Sequence, residues 1–224
     1  MLHTSGKKKC NFTGYLVCKM KNNLFIALEG IDGSGKSTQV KLLATAMTAA
    51  GHNVYSTFEP TDGMIGNVLR NILKGNIKAD HRVIAGLFLA DRLDHLLNEE
   101  TGIVKKMQEG YTVITDRYYF SSYAYHGTHM DMDWVIEANK MCAQILKPNL
   151  NIFIDVPPEI SMQRINAGRE STELFETLES LKNVRAKYME AFEKLKHAEE
   201  IIIIDGNRHA NEIARDIQKA TEVW

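Results

Sequence analysis

The chain has 224 residues, of which 44% are hydrophobic and 25% are charged, and its formal net charge is −1 at pH 7. This is typical of one globular enzyme domain, and the near-neutral charge gives no electrostatic reason to expect a nucleic-acid or membrane partner. No segment approaches the roughly 18 consecutive apolar residues of a membrane span, and three cysteines without metal-ligand spacing favour a reducing, cytoplasmic compartment.

The first 21 residues differ from the remainder of the chain. Positions 7–9 are three consecutive lysines, and the apolar patch from Tyr15 to Val17 is too short for the core of a signal peptide. We therefore interpret residues 1–21 as a disordered leader and residues 22–224 as a single domain.

Residues 30–37, GIDGSGKS, have the spacing of a phosphate-binding loop and follow the apolar run LFIAL at 24–28. In such a loop the backbone N–H groups surround a polyphosphate, Lys36 reaches the β- and γ-phosphates, and the hydroxyl of Ser37 ligates Mg²⁺. A helical pattern begins near Ser37, so its N-terminal dipole also faces the anion. The residues predicted to contact a nucleoside triphosphate here are Gly30, Ile31, Asp32, Gly33, Ser34, Gly35, Lys36, Ser37 and Thr38.

Strand and helix patterns alternate along the chain. Apolar runs without polar alternation predict buried strands at 24–28, 53–58, 111–115, 150–155 and 201–205. Helical patterns occupy 37–50, 64–74, 80–98 (with Asp80 as the cap), 134–146, 158–167, 173–196 and 210–222. This order predicts an α/β fold with a doubly wound parallel sheet and ligands outside the carboxyl ends of the strands.

Asp116 and Arg117 follow the third predicted strand. A carboxylate at the end of a strand beside a phosphate loop is suited to hold Mg²⁺ together with Ser37, and Arg117 can direct a bidentate fork at a phosphate oxygen. The alternative for this pair is a surface salt bridge at a strand end.

Phe88 and Arg92 lie four residues apart in the third predicted helix and therefore on one face. An aromatic plane with a guanidinium one turn away can stack on a base and hydrogen-bond its edge. The alternative is a core phenylalanine beneath a solvated arginine.

Three further segments occur in a fixed order after the loop: FEPTDGMIG (58–66), LFLADR (87–92) and DRYYFSSYAYHG (116–127). Together with the loop they closely resemble the thymidylate kinases, which phosphorylate dTMP. The resemblance runs from about residue 24 to the C-terminus. It implies a P-loop kinase fold with a five-stranded parallel sheet, helices on both faces and a small lid, and a homodimer.

The resemblance also assigns roles to individual residues. Asp32 would lie near the sugar 3′-hydroxyl and the reacting phosphates, Phe88 would stack on thymine, and Arg92 would bond its O4. Arg117 would hold the dTMP phosphate, and Tyr125 would disfavour a 2′-hydroxyl. The residues expected to bind dTMP are Asp32, Glu59, Pro60, Arg70, Phe88, Arg92, Arg117, Ser121, Ser122 and Tyr125.

The chain departs from the family pattern at two positions. Many relatives have arginine where this chain has Phe58, and Arg70 is the candidate to replace that phosphate contact. Ser122 stands where several relatives carry an amide side chain that bonds the base.

Residues 164–173 form a short, polar, glycine-containing segment that we interpret as a lid over ATP, the alternative being an ordinary connection between helices. It supplies Arg164 and Arg169 to the ATP side. Some thymidylate kinases carry an arginine in the phosphate loop where this chain has Gly33. We therefore expect Arg169, which follows the glycine of the lid, to neutralise the migrating phosphoryl group.

The sequence thus predicts ATP- and Mg²⁺-dependent conversion of dTMP to dTDP, with Asp32, Lys36, Arg117 and Arg169 as the catalytic group and Ser37 and Asp116 as metal ligands. A deoxynucleoside kinase acting on thymidine is the alternative. A regulatory GTPase is disfavoured because the segment NKMC at 139–142 lacks the aspartate of a guanine-reading motif. His126 and His129 are expected to be solvated loop residues.

Overall fold

The computed structural model describes residues 23–168 and 174–222. Its elements in chain order are β1 (Phe25–Glu29), α1 (Lys36–Ala49), β2 (Val54–Phe58), α2 (Met64–Leu73), α3 (His81–Leu97), α4 (Ile103–Gln108), β3 (Thr112–Asp116), α5 (Tyr119–His126), α6 (Met132–Ile145), β4 (Leu150–Asp155), α7 (Pro158–Gly168), α8 (Leu178–Leu195), β5 (Ile201–Asp205) and α9 (Ala210–Thr221). The leader at 1–21 and positions 169–173 of the expected lid lie outside the described residues.

The strands form one parallel sheet in the order β2-β3-β1-β4-β5. The strand order reverses at β1, which lies between β3 and β4, and a crevice therefore opens at the carboxyl end of β1. In the register, Leu28 of β1 pairs with Asp116 of β3. The phosphate loop follows β1, and the Asp116-Arg117 pair lies at the end of β3. Both consequently lie at the carboxyl ends of the strands, next to each other.

The two faces of β1 build two cores. Phe25 and Ala27 pack in a cluster that contains Tyr188 of α8, whereas Ile26 and Leu28 pack in a second cluster with residues of α1 and α9. All four β1 side chains are fully buried. Because helices cover both faces, the strand has no polar alternation, as the sequence pattern predicted.

The predicted parallel sheet and its flanking helices are confirmed, and the strand boundaries differ from prediction by at most one residue. Larger shifts occur at helix starts, where side chains cap the backbone. Helix α8 begins at Leu178 instead of 173, because Thr177 Oγ1 accepts a hydrogen bond of 3.1 Å from the N–H of Ser180. Helix α6 begins two residues early, because Asp131 caps Trp134 in the same way.

Two helices were not predicted. Helix α4 is only six residues long, and helix α5 had been interpreted as part of a loop motif. The expectation that His126 is a solvated loop residue was wrong, because it is the last residue of α5 and its side chain is 3% exposed. In the described part of the chain, no helix combines the length and the apolar character needed to cross a bilayer.

Candidate active site

The phosphate loop links the end of β1 to the start of α1, and its form depends on glycine. Gly35 is the N-cap of α1 with φ 93° and Gly33 has φ 76°, both in the left-handed region that favours glycine. A Cβ on Gly33 would lie 2.6 Å from the backbone oxygen of Ser161 and 3.0 Å from Ile165 of α7. The loop therefore packs directly on α7 and cannot accept an arginine at this position without moving.

Lys36 folds across the loop. Its Nζ donates hydrogen bonds of 3.0 Å to the backbone oxygens of Gly30 and Ile31. Burial, with the charge of Arg117 in second place, lowers the pKa of Lys36 to about 8 against the opposing effect of nearby carboxylates. An anion in the loop would favour the charged form of this lysine.

Ser37 and Asp116 form a pair of oxygen donors at the start of α1 and the end of β3. The hydroxyl of Ser37 donates to Asp116 Oδ2 at 2.6 Å. Hydroxyl and carboxylate oxygens are the ligands that Mg²⁺ prefers, so this donor set fits the metal predicted from the sequence.

Arg117 has an unusual backbone, with φ 73° in the left-handed region. A residue other than glycine is uncommon there, and such conformations concentrate at functional sites. The guanidinium donates to the Gly30 backbone oxygen at 3.2 Å and to Tyr125 Oη at 3.1 Å, and it pairs with Asp32. The Tyr125 hydroxyl in turn donates to Asp32 at 2.8 Å. Three residues predicted from two separate motifs, the phosphate loop and the segment 116–127, therefore form one hydrogen-bonded group.

Glu29 supports this group and was not identified from the sequence. It is fully buried at the end of β1 and accepts hydrogen bonds from the Tyr118 N–H (2.9 Å), the Ser121 hydroxyl (2.6 Å) and the Tyr188 hydroxyl (3.0 Å). Burial raises the pKa of Glu29 despite these bonds. An ionisable residue at the end of an apolar strand was the available signal, but its partners lie more than 85 residues away in the sequence.

A cavity of about 540 Å³ opens above these residues. The predicted site residues that line it are Asp32, Gly33, Gly35, Lys36, Ser37, Thr38, Glu59, Pro60, Phe88, Asp116, Arg117, Ser121, Ser122, Tyr125 and Arg164. Its wall does not include Gly30, Ile31, Ser34, Arg70 or Arg92. Arg169 lies outside the described residues.

Arg92 is buried in an ion pair instead of facing the cavity. Its side chain and that of Glu59 are each 1% exposed, with 2.6 Å between Nη2 and Oε2. The guanidinium also donates to Glu59 through Nε, to Ser122 at 2.9 Å, to Asn139 and to the Tyr118 backbone oxygen at 3.1 Å. A guanidinium has five N–H donors, and these bonds use all of them. A bond from Arg92 to thymine remains a prediction, and it would require one of these partners to be exchanged.

Glu59 joins Arg92 to a histidine. His95 Nδ1 lies 3.1 Å from Glu59 Oε1, and His95 Nε2 lies 2.7 Å from the hydroxyl of Thr57. Burial alone would raise the pKa of Glu59, but the charge of Arg92 and the contact with His95 outweigh it and hold the pKa below its usual value. The carboxylate therefore stays ionised at the cavity wall.

Arg70, the candidate replacement for an arginine at position 58, is directed elsewhere. Its guanidinium donates to the Pro60 backbone oxygen at 2.8 Å and pairs with Asp62 at 3.2 Å. Phe58 itself lines the cavity. Arg70 would have to change partners to contact a phosphate.

Besides Phe58, three residues of the cavity wall were missed by the sequence analysis: Leu73, His126 and Phe175. Phe175 is 7% exposed and packs edge-on against Tyr125 with ring centroids 5.6 Å apart. The neighbouring Leu174 N–H bonds the Leu73 backbone oxygen at 3.0 Å. The chain thus returns from the expected lid to the side of the cavity that holds Tyr125, a contact that no local motif predicts.

Arg164, at the other end of the lid segment, lines the cavity near β5. Its Nη2 donates to the Gly206 backbone oxygen at 3.1 Å. Gly206 directly follows β5, so this arginine stands at the sheet edge opposite to Phe58 of β2.

The comparisons with known proteins agree with this geometry. The family model described as thymidylate kinase matches residues 28–217. A probable thymidylate kinase of Pyrobaculum calidifontis is 40% identical over 195 residues, which cover 87% of this chain and 93% of that protein. Probable thymidylate kinases of Thermococcus gammatolerans and Methanocaldococcus jannaschii are 36% and 34% identical, over 87% and 86% of this chain and 93% and 92% of their own lengths. The resemblance found in the motifs is confirmed, and the chain belongs to the thymidylate kinase family.

Proposed function

We propose that this chain transfers the γ-phosphoryl group of ATP to dTMP, yielding ADP and dTDP, by in-line attack of a dTMP phosphate oxygen. One observation carries the choice of a monophosphate acceptor. Arg117 is held by its backbone at the cavity wall, beside the phosphate loop and next to Tyr125. A cation so placed suits an anionic acceptor, whereas a hydroxyl acceptor needs a base.

The donor half of the site is the loop with Lys36, Ser37 and Asp116. The loop N–H groups and the start of α1 would bind the ATP phosphates, and Lys36 would exchange its bonds to Gly30 and Ile31 for phosphate oxygens. Ser37 and Asp116 would hold Mg²⁺. When bound, the metal would neutralise charge on the β- and γ-phosphate oxygens.

The acceptor half is built around Arg117. Its Nε–H has no hydrogen-bond partner among the described residues and is therefore available to the dTMP phosphate. Asp32 and Tyr125, which are already bonded to each other at 2.8 Å, would contact the sugar, with the tyrosine excluding a 2′-hydroxyl. Phe88 would stack on the base.

A lid at 164–173 would close over ATP and exclude water from the donor. Arg164 and Arg169 would belong to the ATP side, with Arg169 acting on the migrating phosphoryl group. Since Gly33 packs against the backbone of α7, the phosphate loop itself has no space for a cation at that position.

We also propose that the protein acts in the cytoplasm as a homodimer. Helix α3 contacts both α2 and α6. Large apolar side chains are exposed on all three helices: Met64 of α2 (85% exposed), Val83 of α3 (53%), and Trp134 and Met141 of α6 (52% and 59%). Such a concentration supports an interface between copies. Light scattering on the purified protein would test it, and a monomer at micromolar concentration would contradict it.

The function is tested by measuring ADP release with each deoxynucleoside monophosphate and with thymidine, in the presence and absence of Mg²⁺. We expect Mg²⁺-dependent turnover of dTMP and none of thymidine. Turnover of thymidine but not of dTMP would identify the chain as a deoxynucleoside kinase. Lys36→Ala is the folded, inactive control, since it removes the charge that follows the transferred phosphoryl group.

A further inference from the structure

Glu29, at the end of β1, is a carboxylate that a ligand in the cavity does not reach. Its side chain is fully buried, and it is not among the residues that line the cavity. Burying a charged group is costly unless the surrounding structure satisfies it. The groups that satisfy Glu29 therefore indicate what the carboxylate does for the site above it.

Three segments of the described chain bond Glu29: the turn after β3, helix α5 and helix α8. Oε1 accepts hydrogen bonds from the backbone N–H groups of Tyr118 at 2.9 Å and Ser121 at 3.3 Å. Oε2 accepts from the hydroxyls of Ser121 at 2.6 Å and Tyr188 at 3.0 Å. Burial raises the pKa of Glu29, and these donors together with the charge of Arg117 oppose that effect. Every one of these groups donates, which matches an ionised carboxylate, since that form only accepts.

Two of these contacts lead directly to Arg117. The Tyr118 N–H belongs to the peptide unit that follows Arg117, and the N–H of Arg117 itself donates to the Leu28 backbone oxygen at 2.9 Å. The left-handed backbone of Arg117, with φ 73°, is thus held on both sides by β1. The side chain is held by a relay, in which Arg117 Nη1 donates to the Ser121 hydroxyl at 3.1 Å and that hydroxyl donates to Glu29.

We propose that Glu29 is a positioning residue for the acceptor phosphate, because it holds Arg117 in the conformation that directs the guanidinium at the cavity. This inference rests on the proposed function, in which Arg117 binds the phosphate of dTMP. Without the carboxylate, the Tyr118 N–H would lose its acceptor, and an ordinary backbone conformation would become favourable for Arg117. The guanidinium would then leave the position of the phosphate.

The test compares two ligands that share a base and a sugar, dTMP and thymidine. The ratio of their dissociation constants, measured by calorimetry and by competition, isolates the phosphate contact. Glu29→Met removes both oxygens at similar length, whereas Glu29→Gln keeps an oxygen for the Tyr118 N–H and an amide that can donate to the two hydroxyls. Tyr119→Phe is the matched control, because it removes a buried hydrogen bond of 2.8 Å to Glu199 from the same helix, outside the cavity wall.

We expect Glu29→Met to weaken dTMP binding about ten- to hundredfold, the range for a lost hydrogen bond to a charged group. Binding of thymidine and of a non-hydrolysable ATP analogue should each change less than about threefold. Glu29→Gln should restore dTMP affinity to within about threefold of wild type, and Tyr119→Phe should leave it unchanged.

A double-mutant cycle checks that the effect passes through Arg117. In a protein that already carries Arg117→Met, adding Glu29→Met should change dTMP affinity less than about twofold, because the group that Glu29 positions is gone. An undiminished effect in that background would overturn the inference, as would equal losses for dTMP and thymidine or an unchanged dTMP affinity in Glu29→Met.

Glu29→Asp, which withdraws the carboxylate by one methylene, takes the place of Glu29→Met in every comparison if the methionine variant does not fold. A wild-type protein that binds ATP but does not turn over dTMP would instead overturn the proposed function.

Discussion

Lys36 is a buried ammonium group whose pKa lies at about 8 instead of 10.5. A shift of this size corresponds to a difference of about 3 kcal/mol between the two protonation states. A bound triphosphate places negative charge against Lys36 and returns its pKa toward the usual value. We therefore expect nucleotide binding to be coupled to proton uptake, and the number of protons taken up should equal the fraction of Lys36 that is neutral before binding.

The expected pH dependence follows from this pKa of about 8. At pH 8.5 roughly three-quarters of Lys36 is neutral, and at pH 7 roughly a tenth is. Binding should thus take up about 0.75 proton per site at pH 8.5 and about 0.1 at pH 7. Phosphate groups titrate near pH 6 and are ionised at pH 8.5, so they do not contribute there.

Proton uptake is measured by calorimetric titration with a non-hydrolysable ATP analogue in two buffers of different ionisation enthalpy. Lys36→Met should abolish the uptake at pH 8.5. Lys41→Met, which removes an exposed lysine from the same helix, should retain it. Uptake below about 0.2 proton at pH 8.5, or equal uptake in Lys36→Met, would refute the reasoning from burial.

Two further variants separate structural from chemical roles. Arg92→Met leaves Glu59 buried without its partner and should lower the free energy of unfolding by about 3–5 kcal/mol; urea unfolding checks this, with the exposed Arg82→Met as the control that should not shift the midpoint. Weakened dTMP binding at unchanged stability would show instead that Arg92 contacts the base directly. Arg169→Ala should lower kcat by about 10³–10⁵ and keep the dTMP dissociation constant. If Arg164→Ala lowers kcat strongly and Arg169→Ala lowers it only mildly, the assignment would be reversed.

The phosphate loop and the strands could be predicted because their information is local. The loop is eight consecutive residues whose form depends on glycines such as Gly33 and Gly35. The strands β1, β3 and β4 are buried along nearly their whole length, because helices cover both faces there, and this removes the polar alternation from their sequences. Helix starts were less accurate, because a capping side chain such as Thr177 competes with the hydrophobic pattern that precedes it.

Contacts between distant segments account for what the sequence did not show. The spacing of Phe88 and Arg92 correctly places them on one helix, but their orientation depends on partners elsewhere. Arg92 is bound by Glu59, which lies 33 residues earlier, so a residue expected at the base was found beneath the cavity wall. His126 was missed for the same reason, since its burial depends on the packing of α5.

Arg117, which we propose holds the dTMP phosphate, has a backbone conformation that the fold maintains. Its left-handed backbone costs roughly 1–2 kcal/mol and is held by hydrogen bonds from its own N–H to Leu28 (2.9 Å) and from the Tyr118 N–H to Glu29 (2.9 Å). Both acceptors belong to β1, the strand that also leads into the phosphate loop. With the dTMP phosphate on Arg117 as we propose, the register of β1 and β3 would fix the backbone of Arg117 relative to the phosphate loop, which would lower the reorganisation needed during phosphoryl transfer.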